Sequence, residues 1–274
     1  MTWRYLTLSG AVGVAALLCD ASPARAQAFL GGNLRPFAVL AGSTVTCTGA
    51  STITGDIGVS PGAAIVGFPA PCTNIGTQHP ADVQAAAAQA DLVTAYNTLA
   101  SLPCSSTIGP DLAGLTLVPG IYCVPAAASN LTGTLTLDGQ GNGNASWVFR
   151  MSSTLITSPG SIVATINGAN PCAVEWQVSS SATIDTNTQF RGNILALTAI
   201  TMNTGANLIG RALARNAAVT MDTNLVSFAL CGAGAGDAPP PPFGVGGVPA
   251  LPFGLEWVLL VILVGLGAYA VSRR

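Results

Sequence analysis

One stretch of this chain repeats itself, and repetition at a short, fixed interval leaves few folds open. Thr183-Ile-Asp-Thr186 returns 18 residues later as Thr201-Met-Asn-Thr204, and 19 residues after that as Thr220-Met-Asp-Thr223. Between them, Gly192-Asn-Ile-Leu-Ala196 and Gly210-Arg-Ala-Leu-Ala214 stand 18 apart. Upstream, Trp147–Thr157 can be laid on Trp176–Thr186 at an offset of 29. A period of roughly 18 to 20 residues, rich in Thr, Ile, Val, Ala and Gly, describes short strands wound into coils. One coil alone leaves its apolar side in water, so the coils must stack. The reading is a mostly β fold, a β-solenoid.

Alternation within a coil then sorts the side chains. Ile184, Met202 and Met221 point inward, while Thr183, Thr201 and Thr220 point outward on one face with Asp185, Asn203 and Asp222. After a corner, Phe190, Leu208 and Leu225 or Val226 point in, and Gln189 and Asn207 point out on a second face, near Thr186, Thr204 and Thr223. Stacked strands lie about 4.8 Å apart, so equivalent threonines form a ladder of methyl and hydroxyl groups at that pitch. Such an array can order water in an arrangement that a crystal of water can adopt, although threonine also simply suits strands.

The upstream segment 37–66 reads as further strands and turns, with Thr48-Gly-Ala-Ser51 similar to Thr204-Gly-Ala-Asn207. From about 80 to 102 the period becomes helical. Ala85, Ala88, Leu92, Ala95, Tyr96, Leu99 and Leu102 share one face. Pro80 is placed at the first helical position, Asp82 complements the dipole, and Pro103 ends the run. The stripe predicts packing along a flank of the solenoid. Residues 104–146 return to strands, with Gly139–Asn144 as a loop.

The two ends differ in character. Residues 1–26 read as a secretory signal, with Arg4, an apolar run from Leu8 to Leu18 and Ala24-Arg-Ala26 before the cut. The solenoid domain is expected at 27–231, a Gly/Pro-rich linker at 232–250, and an apolar tail at 251–274 ending in Arg273-Arg274. That tail has the length for a transmembrane helix, with the arginines on the cytoplasmic side and Trp257 at the opposite interface.

Export agrees with the cysteines. Once Cys19 leaves with the signal, Cys47, Cys72, Cys104, Cys123, Cys172 and Cys231 remain, and six cysteines allow 15 pairings. Cys104–Cys123, bracketing one short loop, is the first choice; the others stay open. There is no C-x-x-C and the single histidine is His79, which argues against zinc. No cofactor is expected. Only 7% of residues are charged, and lysine is absent, so no basic patch exists for nucleic acid. Candidates for a polysaccharide-cleaving site are Asp185, Asp222, Arg191, Arg211 and Arg215. However, Asp185 and Asp222 share a rung position with Asn203, which marks a structural ladder, and no paired acids or nucleophile motif accompany them. The chain is not expected to be an enzyme.

Residues 37–230 resemble the microbial ice-binding (antifreeze) protein family. The resemblance rests on Val39-Leu-Ala-Gly-Ser-Thr-Val-Thr46, Gly55-Asp-Ile-Gly-Val-Ser-Pro-Gly62, Gln89-Ala-Asp-Leu-Val-Thr-Ala-Tyr-Asn97, Val118-Pro-Gly-Ile-Tyr122, Leu131–Asp138, Gly192–Thr198 and Gly210–Asn224. It implies a right-handed solenoid of triangular section with one long helix alongside, and a flat face that adsorbs ice. The family's Thr-Ala/Gly-x-Thr/Asn pattern, carried onto this sequence, implies ice contacts at Thr48, Ser51, Ser158, Ser161, Thr186, Gln189, Thr204, Asn207 and Thr223. Val248-Pro-Ala-Leu251 and the tail after it resemble C-terminal sorting signals of the Ile-Pro-Thr-Leu type. That implies a Gram-negative envelope protein, with the inner membrane and a sorting protease as partners. The competing function is a surface adhesin or structural solenoid without ice activity.

Overall fold

The computed structural model describes residues 29–228. The expected leader, Cys231, the linker and the apolar tail lie outside them. Three parallel sheets of nine, seven and eight strands form the walls of a triangular solenoid. Each full coil visits the first, second and third sheet in that order. Coils run over residues 37–54, 56–75, 120–138, 147–166, 174–191, 193–209 and 212–227, with residues 78–80 and 106–117 closing the two ends.

Order in space departs from order in sequence. The first coil, 37–54, lies between coil 56–75 on one side and the last coil, 212–227, on the other. After residues 78–80 the helix Val83–Ser101 runs back along the first sheet, and the remaining coils stack from the far end until the last meets the first. At this seam Val39 pairs with Ala212, Thr46 with Thr220 and Thr52 with Leu225.

The helix is shorter than the 80–102 expected from periodicity. Pro80 belongs to the strand Gln78–Pro80, paired with Val59. The helix is started instead by Asp82, whose Oδ1 accepts from the Ala85 amide at 2.8 Å. His79 Nδ1 lies 2.7 Å from the other oxygen of Asp82, so the single histidine is part of this start. The expected stripe is the buried one: Ala85 is buried, and Ala88, Leu92, Ala95, Tyr96 and Leu99 pack on Leu40, Val148, Leu195 and Leu213, with Leu30 and Leu34 beside them and Leu102 partly buried at the end. Each such leucine contributes roughly 2 kcal/mol by leaving water. At the other end Arg150 donates to the carbonyls of Ala100 and Leu102, complementing the negative end of the helix.

Inside the triangle, aromatic rings stack from coil to coil. Phe149 lies 4.1 Å from Trp176 at an interplanar angle of 9°, Tyr122 lies 5.6 Å beyond Phe149, and Phe190 closes the row at 4.9 Å from Trp176. This corrects the alignment of Trp147 on Trp176. The ladder pairs Trp147 with Val174 and Phe149 with Trp176, an offset of 27 and not 29. The core position needs a large flat ring, and either aromatic type supplies it. The 18-residue echo does hold, with Ile194 on Ala212 and Ile184 on Met202. Its glycines have a steric cause: Gly210 has φ +146°, and a Cβ there would sit 2.0 Å from the Gly192 carbonyl.

Cys104 is bonded to Cys123, as expected, and Cys47 to Cys72; Cys172 is also disulfide-bonded. The coil at 106–117 has no strand in the second sheet. Asp111 ends that sheet instead, accepting from the Thr132 amide and hydroxyl.

The outer side of the first sheet carries a polar row one coil apart. Glu175 accepts from Asn193 Nδ2 at 3.0 Å, and Asn193 Oδ1 accepts from Arg211 at 3.2 Å. Glu175 is fully buried; desolvation raises its pKa well above the ordinary glutamate value, outweighing the opposing effects of Asn193 and Arg211. A folded pKa above the unfolded one gives stability that is complete below about pH 4.3 and is lost as pH rises through the folded value. Glu175→Gln is therefore expected to match the wild type at pH 4 and to equal or exceed it at pH 7. Denaturant melts at the two pH values check this. A variant less stable at pH 7 would mean an ionised Glu175 that gains from Arg211.

Candidate functional site

The second sheet is the wall that faces solvent with the most regular side-chain pattern. Its inward residues, Val45, Cys47, Ala182, Ile184, Ile200, Met202, Val219 and Met221, are all buried. Parity then turns Thr183, Thr201, Thr220 and Thr46 outward, and the pairings place them side by side on four successive strands. Ile156 continues the row at one end and Val66 at the other, 41% and 53% exposed. Two residues before each threonine stand Ser181, Ala199, Ala218 and Thr44, all small. Two residues after them stand Asp185, Asn203, Asp222 and Thr48.

That last row is tied together. Asn203 Nδ2 donates to Asp185 Oδ1 at 2.9 Å, Thr204 Oγ1 to Asp222 Oδ2 at 2.5 Å, and Thr223 Oγ1 to Asp222 Oδ1 at 3.1 Å. Thr186 donates to Asp185 Oδ1 through its amide at 2.7 Å and its hydroxyl at 3.2 Å. These bonds favour the charged form. Both carboxyls are held below the ordinary aspartate range, Asp185 first by Asn203 and Asp222 first by Thr204. The rung position shared with Asn203 is thus a structural ladder.

The nine residues chosen from the Thr-x-x-Asn pattern fall into four places. Thr186, Thr204 and Thr223 line the corner between the second and third sheets. Gln189 and Asn207 are paired on the third sheet, where Leu225 and Thr52 continue their row. Thr48 stands in the Asp222 row and Ser158 at the corner after Thr157. Ser51 and Ser161 point inward, 1% and 2% exposed, and their hydroxyls donate to the carbonyls of Thr48 and Leu131. The starting point explains the difference, since the corner spans four residues from Thr48 to Thr52, from Ser158 to Ile162 and from Asn203 to Asn207 alike. Thr48 is level with Asp222, one place earlier than Thr204 in its coil, so the fourth residue of the motif is inside and Thr52 takes the outward place.

Thr46 was missed by motif reasoning because its neighbour Thr220 is 174 residues away. The signal was present in Val45-Thr46-Cys47 beside Val219-Thr220-Met221, the same apolar–Thr–apolar triplet.

The residues considered for catalysis do not converge. Arg191 is on the third sheet with Nε donating to Val163 O at 2.9 Å, Arg211 is buried over the Phe228 ring, and Arg215 donates to Asn97 on the helix. Asp185 and Asp222 lie on another wall. Among the described residues, no group of three or more His, Cys, Asp or Glu is placed to hold a metal ion.

Among the described residues, three parallel sheets closed into a triangle, one lengthwise helix, a threonine row in register and a first coil clasped by the last define the class, a parallel β-solenoid. The chain belongs to the Ice-binding-like family, whose profile matches residues 39–227. An ice-binding protein of Nostoc sp. (strain HG1) is 54% identical over 200 residues, covering 72% of this chain and 73% of that one. Among solved structures, an ice-binding protein from an Antarctic biological consortium superposes with a TM-score of 0.69 at 47% identity, covering 72% of this chain and 89% of that chain. The ice-binding protein of Antarctomyces psychrotrophicus gives a TM-score of 0.69 at 38% identity, covering 72% and 96%.

Proposed function

We propose that this protein adsorbs to ice through the second sheet, with the threonine row at its centre and the corner residues Thr186, Thr204 and Thr223 at its border. The observation that carries the reading is the register of Thr183, Thr201, Thr220 and Thr46 on four adjacent strands. Immobilising one water costs up to about 2 kcal/mol, so a rigid wall that already holds water in place has met that cost before ice arrives. The methyl groups restrict the water and the hydroxyls anchor it. The similarity to proteins named as ice-binding supports the same reading. Gln189, Asn207, Thr48 and Ser158 flank the wall on this proposal, whereas Ser51 and Ser161 support the corner from inside. The test is ice-affinity partitioning of residues 27–231: the domain is expected to concentrate in the ice fraction, and exclusion from ice at micromolar protein defeats the proposal.

The winding is taken as right-handed, the hand that parallel crossovers favour. The disulfides support an oxidising, extracellular location. We further propose that the apolar stretch at 251–274 anchors the protein in the inner membrane, at least until a sorting protease acts. No helix among the described residues is long and apolar enough to cross a membrane, so the anchor rests on that stretch alone. Cell fractionation is expected to move the protein from envelope to medium when residues 251–274 are deleted. Equal release of both forms counts against the anchor.

A further inference from the structure

The three corner threonines share one arrangement that a bare threonine ladder does not require. Each hydroxyl donates its proton to an aspartate: Thr186 to Asp185, and both Thr204 and Thr223 to Asp222. Asp222 takes Thr204 from the preceding coil and Thr223 from its own, so one carboxylate aligns two rungs. Asp185 takes Thr186 from its own coil and Asn203 from the next. An unpaired threonine samples several rotamers about χ1. A threonine tied to a carboxylate is held in one, with its oxygen left as an acceptor for water.

We infer that Asp185 and Asp222 are positioning residues for ice adsorption, fixing the rotamers and hydroxyl directions of Thr186, Thr204 and Thr223 so that the border of the wall is ordered before ice arrives. This rests on the second sheet being the ice-contacting wall. Asp185 and Asp222 thereby act through the threonines, and their charge is part of the surface's order.

Their surroundings isolate the effect. The neighbours along the row, Asn203 and Thr48, carry no charge, and neither does Ser158 at the adjoining corner. On the third sheet the charged groups are Arg191, whose Nε is held by Val163 O, and Asp138, which accepts from the Gln140 amide and Asn167 Nδ2 at the far end of its strand. On the first sheet Glu175 and Arg211 are buried, Arg211 against the Arg35 carbonyl and the Phe228 ring, while Asp56 pairs with His79 and Arg150 holds the end of the helix. Protonating the two aspartates removes the charged acceptor and frees the hydroxyls. Both carboxyls titrate below the ordinary value of about 3.9. Activity should therefore persist through pH 4 and decline only below it.

The experiment is thermal hysteresis of the wild type and of Asp185→Ala/Asp222→Ala from pH 7 down to pH 2.5, with circular dichroism at each point to confirm the fold. The wild type is expected to lose activity reversibly below pH 4 while its spectrum is unchanged. The double variant should start lower, on the order of threefold for each threonine freed among three rotamer wells, and stay flat with pH. Asp185→Asn/Asp222→Asn, which keeps an acceptor oxygen, should recover part of the activity and also stay flat. Full activity of the alanine pair at pH 7, or the same acid decline in wild type and alanine pair, overturns the positioning role. Thr201→Tyr, run alongside, separates the two readings. If it silences the protein while the alanine pair is fully active, the positioning role falls and the wall stands; if it leaves activity intact, both fall.

Discussion

Replacing Thr201 with tyrosine is expected to lower thermal hysteresis and ice adsorption at least about tenfold, equivalent to roughly 1.4 kcal/mol or more of adsorption free energy. Thr201 has Thr183 on one side and Thr220 on the other, so it occupies the middle of the row. A phenol ring there stands above the wall and separates both neighbours from a flat crystal surface. The loss should be specific to adsorption. Residue 201 is an outward strand position, tyrosine suits strands, and outward substitutions of this kind change stability by about 0.5 kcal/mol or less. Unchanged thermal unfolding with lost hysteresis is the expected pair of results. A variant with full hysteresis would move the ice contact to another wall.

The largest effect on stability is expected at Trp176. Its ring is fully buried, stacked on Phe149 and tilted against Phe190, and its Nε1 donates to Arg191 O at 2.9 Å. Trp176→Ala removes the centre of that stack and leaves a cavity that three sheets held in register cannot readily close. The cost is about 3 to 5 kcal/mol, and at roughly 2 to 4 °C per kcal/mol for a domain of this size the melting temperature falls by about 6 to 20 °C. Calorimetry checks it. Trp176→Phe keeps a flat ring in contact with Phe149 and should lose less than half as much. A small effect of the alanine variant would mean that the coils slide to refill the space.

What the amino-acid sequence made legible follows from which interactions are local. The 18-residue spacing was readable because a coil of that length returns Met202 under Ile184 and Ala212 beside Ile194, and each needs the same size and polarity as its neighbour. The helix was readable because its buried stripe is continuous in sequence. The offset between the two tryptophans misled because identical residues attract an alignment, whereas the core only needs ring upon ring. Motif matching placed Ser51 and Ser161 outside for a similar reason. It counts residues from the first hydroxyl residue of each motif, whereas Thr48 and Ser158 stand one place earlier in their coils than Thr204 and Thr186, so the fourth residue falls inside a corner of the same length. The partnership of Thr46 with Thr220 leaves only a triplet of matching polarity, because nothing in either segment specifies which distant coil it will meet.

That partnership has a consequence for how the surface comes into being. The wall is divided between an early segment, contributing Thr46, and a late one, contributing Thr183, Thr201 and Thr220, and they meet through strand pairing and a shared core in which Val45 and Cys47 join Val219 and Met221. During synthesis the two portions cannot be joined until the final coil has emerged, so a chain stopped short of it carries two unconnected fragments of a surface. The capacity to hold an ordered layer of water therefore arrives late and all at once, as a certificate that both ends of the domain have been made and have found each other.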